Sequence, residues 1–176
     1  MKLKTTYGKN IGILSMMIVA LIVAFVAVLG SGSPATAADY VFYDLPAGLA
    51  CDFHLLVESW GGNQVYKEFV DKNGELVRML SAGKGSRLLF TNLDTPATFS
   101  VKANGSVTHI TFNHDGSYTS STTGHNVLIL FPSDVPAGPS TTAYVGRVVY
   151  TVDINGNFTL QEVSGRSTDI CAALSQ

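Results

Sequence analysis

Two cysteines, Cys51 and Cys171, are the first side chains of this 176-residue chain that could do chemistry. Neither has a close cysteine neighbour, and a redox-active pair or a zinc site would need closely spaced thiols or suitably spaced histidines. An even cysteine count outside the cytoplasm is instead typical of a structural disulfide. We therefore expect a Cys51–Cys171 bridge that joins the two ends of the folded chain.

Three of the four histidines, His109, His114 and His125, fall within seventeen residues and could supply a metal ligand or a catalytic base. Their spacing matches no standard ligand motif, and surface histidines are the commoner explanation of such a group. His54 is likewise expected to be a solvated strand residue. The sequence predicts no metal and no cofactor.

No catalytic nucleophile stands out, because the Gly-x-Ser-x-Gly elbow is absent. The segment 83–86 lacks the glycine spacing of a phosphate loop. Two loops that begin at Asp71 and Asp153 carry oxygen ligands, but their glycines come too early for a calcium loop. These segments are predicted to be turns, no catalytic residue is assigned, and enzymatic activity is uncertain and disfavoured.

Two surfaces could bind a ligand. Trp60 precedes two glycines at the end of a predicted strand, where an exposed indole could stack on a sugar ring, although a tryptophan at the edge of the core is commoner. The second surface is the polar face of a predicted sheet. Its members are Ser100, His109, Thr111, Tyr118, Ser120 and Thr122.

That polar face depends on two predicted turns. If Asn104-Gly105 is a two-residue hairpin turn, Val101 faces Thr108 and Phe99 faces Ile110, which leaves His109 on the opposite, polar side. A turn at Asp115-Gly116 then adds the next strand to the same face. The segment 117–123 is too polar for the middle of a sheet and is predicted to be an edge strand, whereas 126–131 is apolar throughout and is predicted to be central.

Turn dipeptides such as Asn73-Gly74 and Asn155-Gly156 separate many short runs rich in β-branched and aromatic residues. The pattern predicts an all-β fold, an antiparallel β-sandwich or flattened barrel of about nine to eleven short strands. A short helix is expected within 168–174. The predicted strands are 40–44, 51–59, 64–70, 75–81, 87–92, 97–103, 106–112, 117–123, 126–131, 143–152 and 158–163.

The first residues have the layout of a secretory signal peptide, with three lysines, an uncharged apolar run over 11–29 and Ala-Thr-Ala at 35–37. We expect a signal peptide over 1–37 and a single secreted β domain over 38–176. Cleavage after Ala38 fits nearly as well, and an uncleaved membrane anchor is the alternative, since the run approaches the length that spans a bilayer.

The expected mature chain is acidic, with eight Lys and Arg against thirteen Asp and Glu, a formal charge of −5. Its cations are scattered singly rather than gathered in a stripe. This distribution argues against nucleic-acid binding and against an anionic membrane surface, so the membrane is a partner only if the leader is retained.

Several short segments carry a resemblance to known sequences: Ala38-Asp39-Tyr40, Leu45-Pro46-Ala47-Gly48, Cys51-Asp52-Phe53, Thr91-Asn92-Leu93-Asp94 and Gly124-His125-Asn126-Val127-Leu128. With these segments the chain resembles a group of small exported actinobacterial proteins that have no assigned activity. The resemblance implies export and a shared domain. It carries over no catalytic or binding residue.

The sequence therefore favours a non-catalytic exported domain that presents a binding surface at or outside the cell envelope, with a cell-wall glycan or a protein as possible partner. One alternative is a secreted enzyme whose pocket contains His109 or His125. The other is a structural envelope subunit that assembles through the edge strand expected at 117–123.

Overall fold

A computed structural model describes residues 40–176, and the predicted signal peptide lies outside them. The described chain contains ten strands and one short helix. Within this part of the chain no helix is long and apolar enough to cross a membrane.

The strands form two antiparallel sheets that pack together, which confirms the predicted β-sandwich. The four-stranded sheet has the order β1-β2-β5-β6, with β1 Val41–Leu45, β2 Leu55–Trp60, β5 Arg87–Asn92 and β6 Thr98–Val101. The six-stranded sheet has the order β10-β9-β8-β7-β4-β3, with β3 Asn63–Val70, β4 Leu76–Lys84, β7 Gly105–Phe112, β8 Tyr118–Leu130, β9 Ser140–Val152 and β10 Phe158–Asp169.

The core lies between the four-stranded sheet and the adjoining halves of β8 and β9. Alternate residues of β2 and β5, including Leu55, Val57 and Phe90, are buried on the inner face, as period-two patterning requires. Residues of the six-stranded sheet that pack against them include Val127, Ile129 and Ala143. Each fully buried large apolar side chain contributes about 1.5–3 kcal/mol to folding.

The short helix α1, Ile170–Leu174, completes the core with Ile170 and Leu174, both fully buried. Its N-cap is Asp169, whose carboxylate accepts a hydrogen bond from the Ala172 amide at 2.9 Å. The carbonyl of Leu174 accepts a hydrogen bond from the buried Asn92 amide at 3.1 Å. The C-terminal turn is therefore fixed to the four-stranded sheet.

The predicted disulfide is confirmed. Cys51 and Cys171 are bonded, with α-carbons 5.5 Å apart and 120 residues apart in the chain. Cys51 precedes β2 in a turn rather than lying inside the strand predicted over 51–59, and it is almost fully buried. Thr141 donates a hydrogen bond at 2.9 Å to the carbonyl of the preceding residue, Ala50.

Three hairpins of the six-stranded sheet use one kind of turn. In the β3–β4 turn the Asp71 amide donates to the Glu75 carbonyl, and the Gly74 amide donates to the Asp71 carbonyl. The turns that begin at Asn113 and Asp153 repeat both bonds. Each turn ends with a glycine at a φ near +85°, a conformation that other residues adopt only at a cost.

These turns are longer than the two-residue turns that the dipeptides suggested. Phe112 pairs with Tyr118, so five residues separate β7 from β8. A two-residue turn at Asp115-Gly116 would instead pair Phe112 with Thr119. The observed pairing is shifted from this by one residue, so every side chain of β8 lies on the opposite face of the sheet from the one predicted.

The hairpin predicted at Asn104-Gly105 is wrong, because the chain crosses there from one sheet to the other. Val101 pairs with Leu88 of β5, and Phe99 pairs with Phe90, whereas β7 joins β4 and β8. Burial of Phe99 and Val101 in the sandwich core decides the pairing over the local turn signal.

The segment 117–123 is also not an edge strand, since it begins β8, which lies between β7 and β9. Its polar side chains are compatible with this interior position because they are small and partly bonded across strands: Thr108 and Thr122 share a hydrogen bond of 3.1 Å. The predicted central position of 126–131 is confirmed, as the same strand continues to Leu130. The edges of the six-stranded sheet are β3 and β10.

Candidate functional site

An open groove of about 210 Å³ lies where the six-stranded sheet meets one end of the four-stranded sheet. The four-stranded sheet contributes the start of β5 and the end of β6, and the six-stranded sheet contributes β3, β7 and the middle of β8. The lining residues are Gln64, Ser86, Leu88, Val101, Lys102, Asn104, Ser106, Thr108, His125, Asn126 and Val127.

A row of glycines crosses the six-stranded sheet in line with the groove residue Ser106. Gly83, Gly124, Gly146 and Gly165 occupy one register line, which Ser106 of β7 completes, and all four glycines have positive φ. A β-carbon at any of these glycines would overlap a backbone carbonyl oxygen of the neighbouring strand. Only glycine therefore permits this close approach of the strands.

Ser106 lies between two of these glycines, Gly83 on β4 and Gly124 on β8. Ser106 lines the groove, and its hydroxyl accepts a hydrogen bond from Gln64, whose side chain reaches across Gly83. The glycine row thus fixes the close approach of the strands on the sheet that carries Ser106.

One carboxamide of the groove is held in a fixed orientation. The Gln64 amide nitrogen donates to the Ser106 hydroxyl at 3.4 Å, and the Gln64 amide oxygen accepts a hydrogen bond from the Tyr66 hydroxyl at 2.9 Å. Side chains fixed in this way lose less conformational entropy when a ligand binds.

The rim is formed by two chain segments tied to each other. The Gly85 amide donates to the Asn104 carbonyl at 2.9 Å, which joins the β4–β5 turn to the crossing between the sheets. The Ser86 hydroxyl donates to the Gly61 carbonyl at 3.2 Å, which ties the same turn to the one after Trp60. Asn104 itself is one of the lining residues.

The basic lining residues are Lys102 and His125, and both are exposed. No carboxylate lines the groove. Within residues 40–176, neither Lys102 nor His125 forms an ion pair; the ion pairs present are His54–Asp44 and Arg147–Glu162.

The polar face predicted from the sequence does not exist as one surface. Ser100 is exposed on the outer side of the four-stranded sheet. His109 and Thr111 are exposed on one face of the six-stranded sheet, and Ile110, which lies between them in β7, is buried on the other face. The one-residue shift of register and the sheet crossing at Asn104 separate these residues.

Tyr118, Ser120 and Thr122 lie on the opposite face of the six-stranded sheet from His109. Ser120 pairs with Ile110 and Tyr150, and it is fully buried. Burial raises the pKa of Tyr118 to about 12, and it also raises the pKa of Tyr150. Ser120 and Thr122 are therefore buried, and Tyr118 is half-buried.

Trp60 is half-buried on the outer side of the four-stranded sheet and stacks on Tyr40, with ring centroids 6.3 Å apart. The Tyr40 hydroxyl is hydrogen-bonded to Glu58, which raises the pKa of that phenol. Trp60 does not line the groove, although Gly61, the next residue, is bonded to the groove residue Ser86.

The histidines do not converge. His125 lines the groove, His109 pairs with Ser121 on a different part of the sheet, and His114 lies in the β7–β8 turn. Among the described residues no group of three or more histidine, cysteine or acidic side chains could hold a metal ion. His54, expected to be solvated, is partly exposed and paired with Asp44.

The groove residues Gln64, Asn104, Ser106 and Asn126 were not singled out from the sequence. Asn104 was assigned to a hairpin turn, and the other three come together only after the strands pair. The available signal was Gly146, a glycine inside the strand predicted over 143–152, since such a glycine marks a close backbone approach.

The fold and the groove define an antiparallel β-sandwich with one disulfide and an open polar cleft at the junction of its sheets. No protein-family model, no curated protein and no solved structure matches the chain. The resemblance to small exported actinobacterial proteins stays a prediction.

Proposed function

We propose that this protein is an exported, non-catalytic binding domain and that the groove at the glycine row is its ligand site. The ligand would be a hydroxyl-rich molecule, such as a glycan of the cell envelope. The observation that carries this proposal is the groove lining, which combines three carboxamides and three hydroxyls with an apolar floor.

This lining suits a saccharide. Carboxamides and hydroxyls donate and accept hydrogen bonds at once, as sugar hydroxyls do. Leu88, Val101 and Val127 add an apolar surface on which the C–H groups of a sugar ring could lie. Small-molecule sites generally combine such apolar walls with a few placed polar groups.

The dimensions of the groove favour one ring of a longer ligand. Its volume of about 210 Å³ is below the range of roughly 300–1,000 Å³ typical of sites that enclose a drug-sized molecule. The groove is open, so a chain could continue beyond it on both sides. We therefore expect recognition of a residue within an oligomer.

The same lining supports binding over catalysis. General acid–base chemistry needs a proton-transfer group oriented by a neighbour, as in a His–carboxylate pair. His125 has no carboxylate bonded to it among residues 40–176, and the other basic lining residue is Lys102.

Export is part of the proposal and is supported by two features. The leader has the order of charge, apolar run and small residues that secretion signals share. The Cys51–Cys171 disulfide is the kind of cross-link that persists in oxidising compartments.

The test is a thermal-shift screen of the purified protein against cell-wall oligosaccharides, followed by calorimetric titration of any hit. A ligand that binds only the native state raises its melting temperature. Asn104→Ala removes a groove carboxamide and should weaken binding at least fivefold, since a lost hydrogen bond is worth about 1 kcal/mol.

Asn155→Ala, an exposed residue of the β9–β10 turn, is the matched control and should bind as the wild type does. Equal affinities of the two variants would show that the groove is not the site. If no oligosaccharide binds, the glycan proposal is wrong and a protein partner becomes the better explanation.

A further inference from the structure

The groove carries positive charge in an otherwise acidic chain. Its lining contains Lys102 and His125 and no aspartate or glutamate, while residues 38–176 contain thirteen acidic and eight basic side chains. We propose that the ligand of the groove bears a carboxylate and that Lys102 is the residue that binds it. This inference rests on the proposed function, because it names the ligand class of the same site.

One stretch of the sequence that contributes to the groove has the same bias. Residues 76–112 include four cations, Arg78, Lys84, Arg87 and Lys102, and a single acid, Asp94. Asp94 follows β5, whose first residue, Arg87, lies at the groove end of that strand. Six strand residues at about 3.3 Å each separate Asp94 from the groove by nearly 20 Å, well beyond the Debye length of about 8 Å in physiological salt.

Lys102 is available to an anion. Its side chain is exposed and takes part in no ion pair or hydrogen bond within residues 40–176. By contrast, Arg147 is engaged by both carboxylate oxygens of Glu162 at 2.6 and 2.7 Å. A cation without an internal partner, beside a cleft that lacks acids, attracts anionic ligands.

The donor set favours a carboxylate over a phosphate. A single ammonium with neighbouring neutral donors matches a monoanion, and Asn104, two residues away, adds a carboxamide that could bond the second carboxylate oxygen. Phosphate sites often use an arginine fork, and no arginine is among the groove lining.

The experiment is calorimetric titration of the full protein with three probes: tetragalacturonate, the neutral galactose tetramer and galactose 6-phosphate. These probes separate carboxylate, neutral and phosphate ligands on one sugar. We expect the uronate to bind at least tenfold more tightly than the neutral tetramer, and more tightly than the phosphate. Raising the salt concentration should reduce this preference.

Variants assign the effect to Lys102. Lys102→Met should lose at least tenfold in uronate affinity and much less in affinity for the neutral tetramer, whereas Lys102→Arg should keep the preference. Lys72→Met, the same change in the exposed β3–β4 turn, is the control and should behave as the wild type.

Each other outcome has a definite meaning. Equal binding of the uronate and the neutral tetramer would overturn the carboxylate inference and leave the proposed glycan function standing. Tighter binding of the phosphate would overturn it in favour of a phosphorylated ligand. If neither these probes nor the cell-wall oligosaccharides bind, the proposed function itself fails.

Discussion

Gly124 of β8 pairs directly with Gly146 of β9, and both residues have positive φ in the interior of long strands. Strand interiors normally exclude glycine, because it has no side chain to pack and costs entropy to order. Here the carbonyl oxygens of Gly105 and Ser164 occupy the places where β-carbons would lie. The pair therefore belongs to the glycine row, which lets neighbouring strands approach closely beside the groove.

Gly124→Ala should destabilise the fold strongly. The new methyl group would overlap the Gly105 carbonyl, and alanine would have to adopt a φ of about +100°. We expect a loss of roughly 3 kcal/mol or more in the free energy of unfolding, measured by urea denaturation.

Gly85→Ala is the matched control, because the nearest atom to its new methyl group, the Asn104 carbonyl oxygen, is 3.6 Å away. This variant should stay within about 1 kcal/mol of the wild type. A comparable loss in the two variants would mean that the glycine row has no special structural role.

Removing the disulfide should leave a folded but less stable protein. The bridge closes a loop of 120 residues, and such cross-links stabilise by about 2–5 kcal/mol, mainly by restricting the unfolded chain. The double variant Cys51→Ala/Cys171→Ala should lose stability in this range by urea denaturation. Reductant should destabilise the wild type and have no effect on the double variant.

Intact mass provides an independent check of the bridge. The untreated protein should be lighter than the reduced protein by the mass of two hydrogen atoms and should not react with a thiol reagent. Two reactive thiols in the exported, untreated protein would contradict both the disulfide and the oxidising destination.

Acid should weaken the three hairpin turns of the six-stranded sheet. Hydrogen bonds to their carboxylates lower the pKa values of Asp71, through the Glu75 amide, of Asp115, through the Ser117 hydroxyl, and of Asp153, through the Asn157 side chain. A lowered folded-state pKa contributes stability above the unfolded-state value near 3.8, and this contribution is lost as the pH falls through the folded-state pKa.

The melting temperature should therefore decrease as the pH falls below about 4. A triple variant with asparagine at the three positions keeps an acceptor oxygen but cannot be protonated, so its melting temperature should vary less between pH 2 and 5. The same acid dependence in the triple variant would show that other carboxylates are responsible.

The fold was predictable because its signals are local. Short runs of β-branched and aromatic residues located most of the strands, and Asn73-Gly74 and Asn155-Gly156 marked two of the hairpins correctly. The turn after Asn113 was also placed correctly, but its length was not, since the dipeptide does not show whether the loop has two residues or five.

The candidate site was not predictable for a physical reason. A single-residue error of register moves side chains to the other face, so Tyr118, Ser120 and Thr122 were assigned to the same exposed face as His109 although they lie on the opposite face, where Ser120 and Thr122 are buried. The groove also depends on pairing between distant strands, such as Gln64 beside Ser106, which no local pattern encodes.

The most direct test of the central claim is an NMR titration of the methyl groups of the protein with a cell-wall oligosaccharide that raises its melting temperature. Binding in the groove predicts chemical-shift changes at Leu88, Val101 and Val127, which form its floor, and none at Val70, on the distant part of β3. Changes confined to residues outside the groove, or none at saturating ligand, would contradict the account.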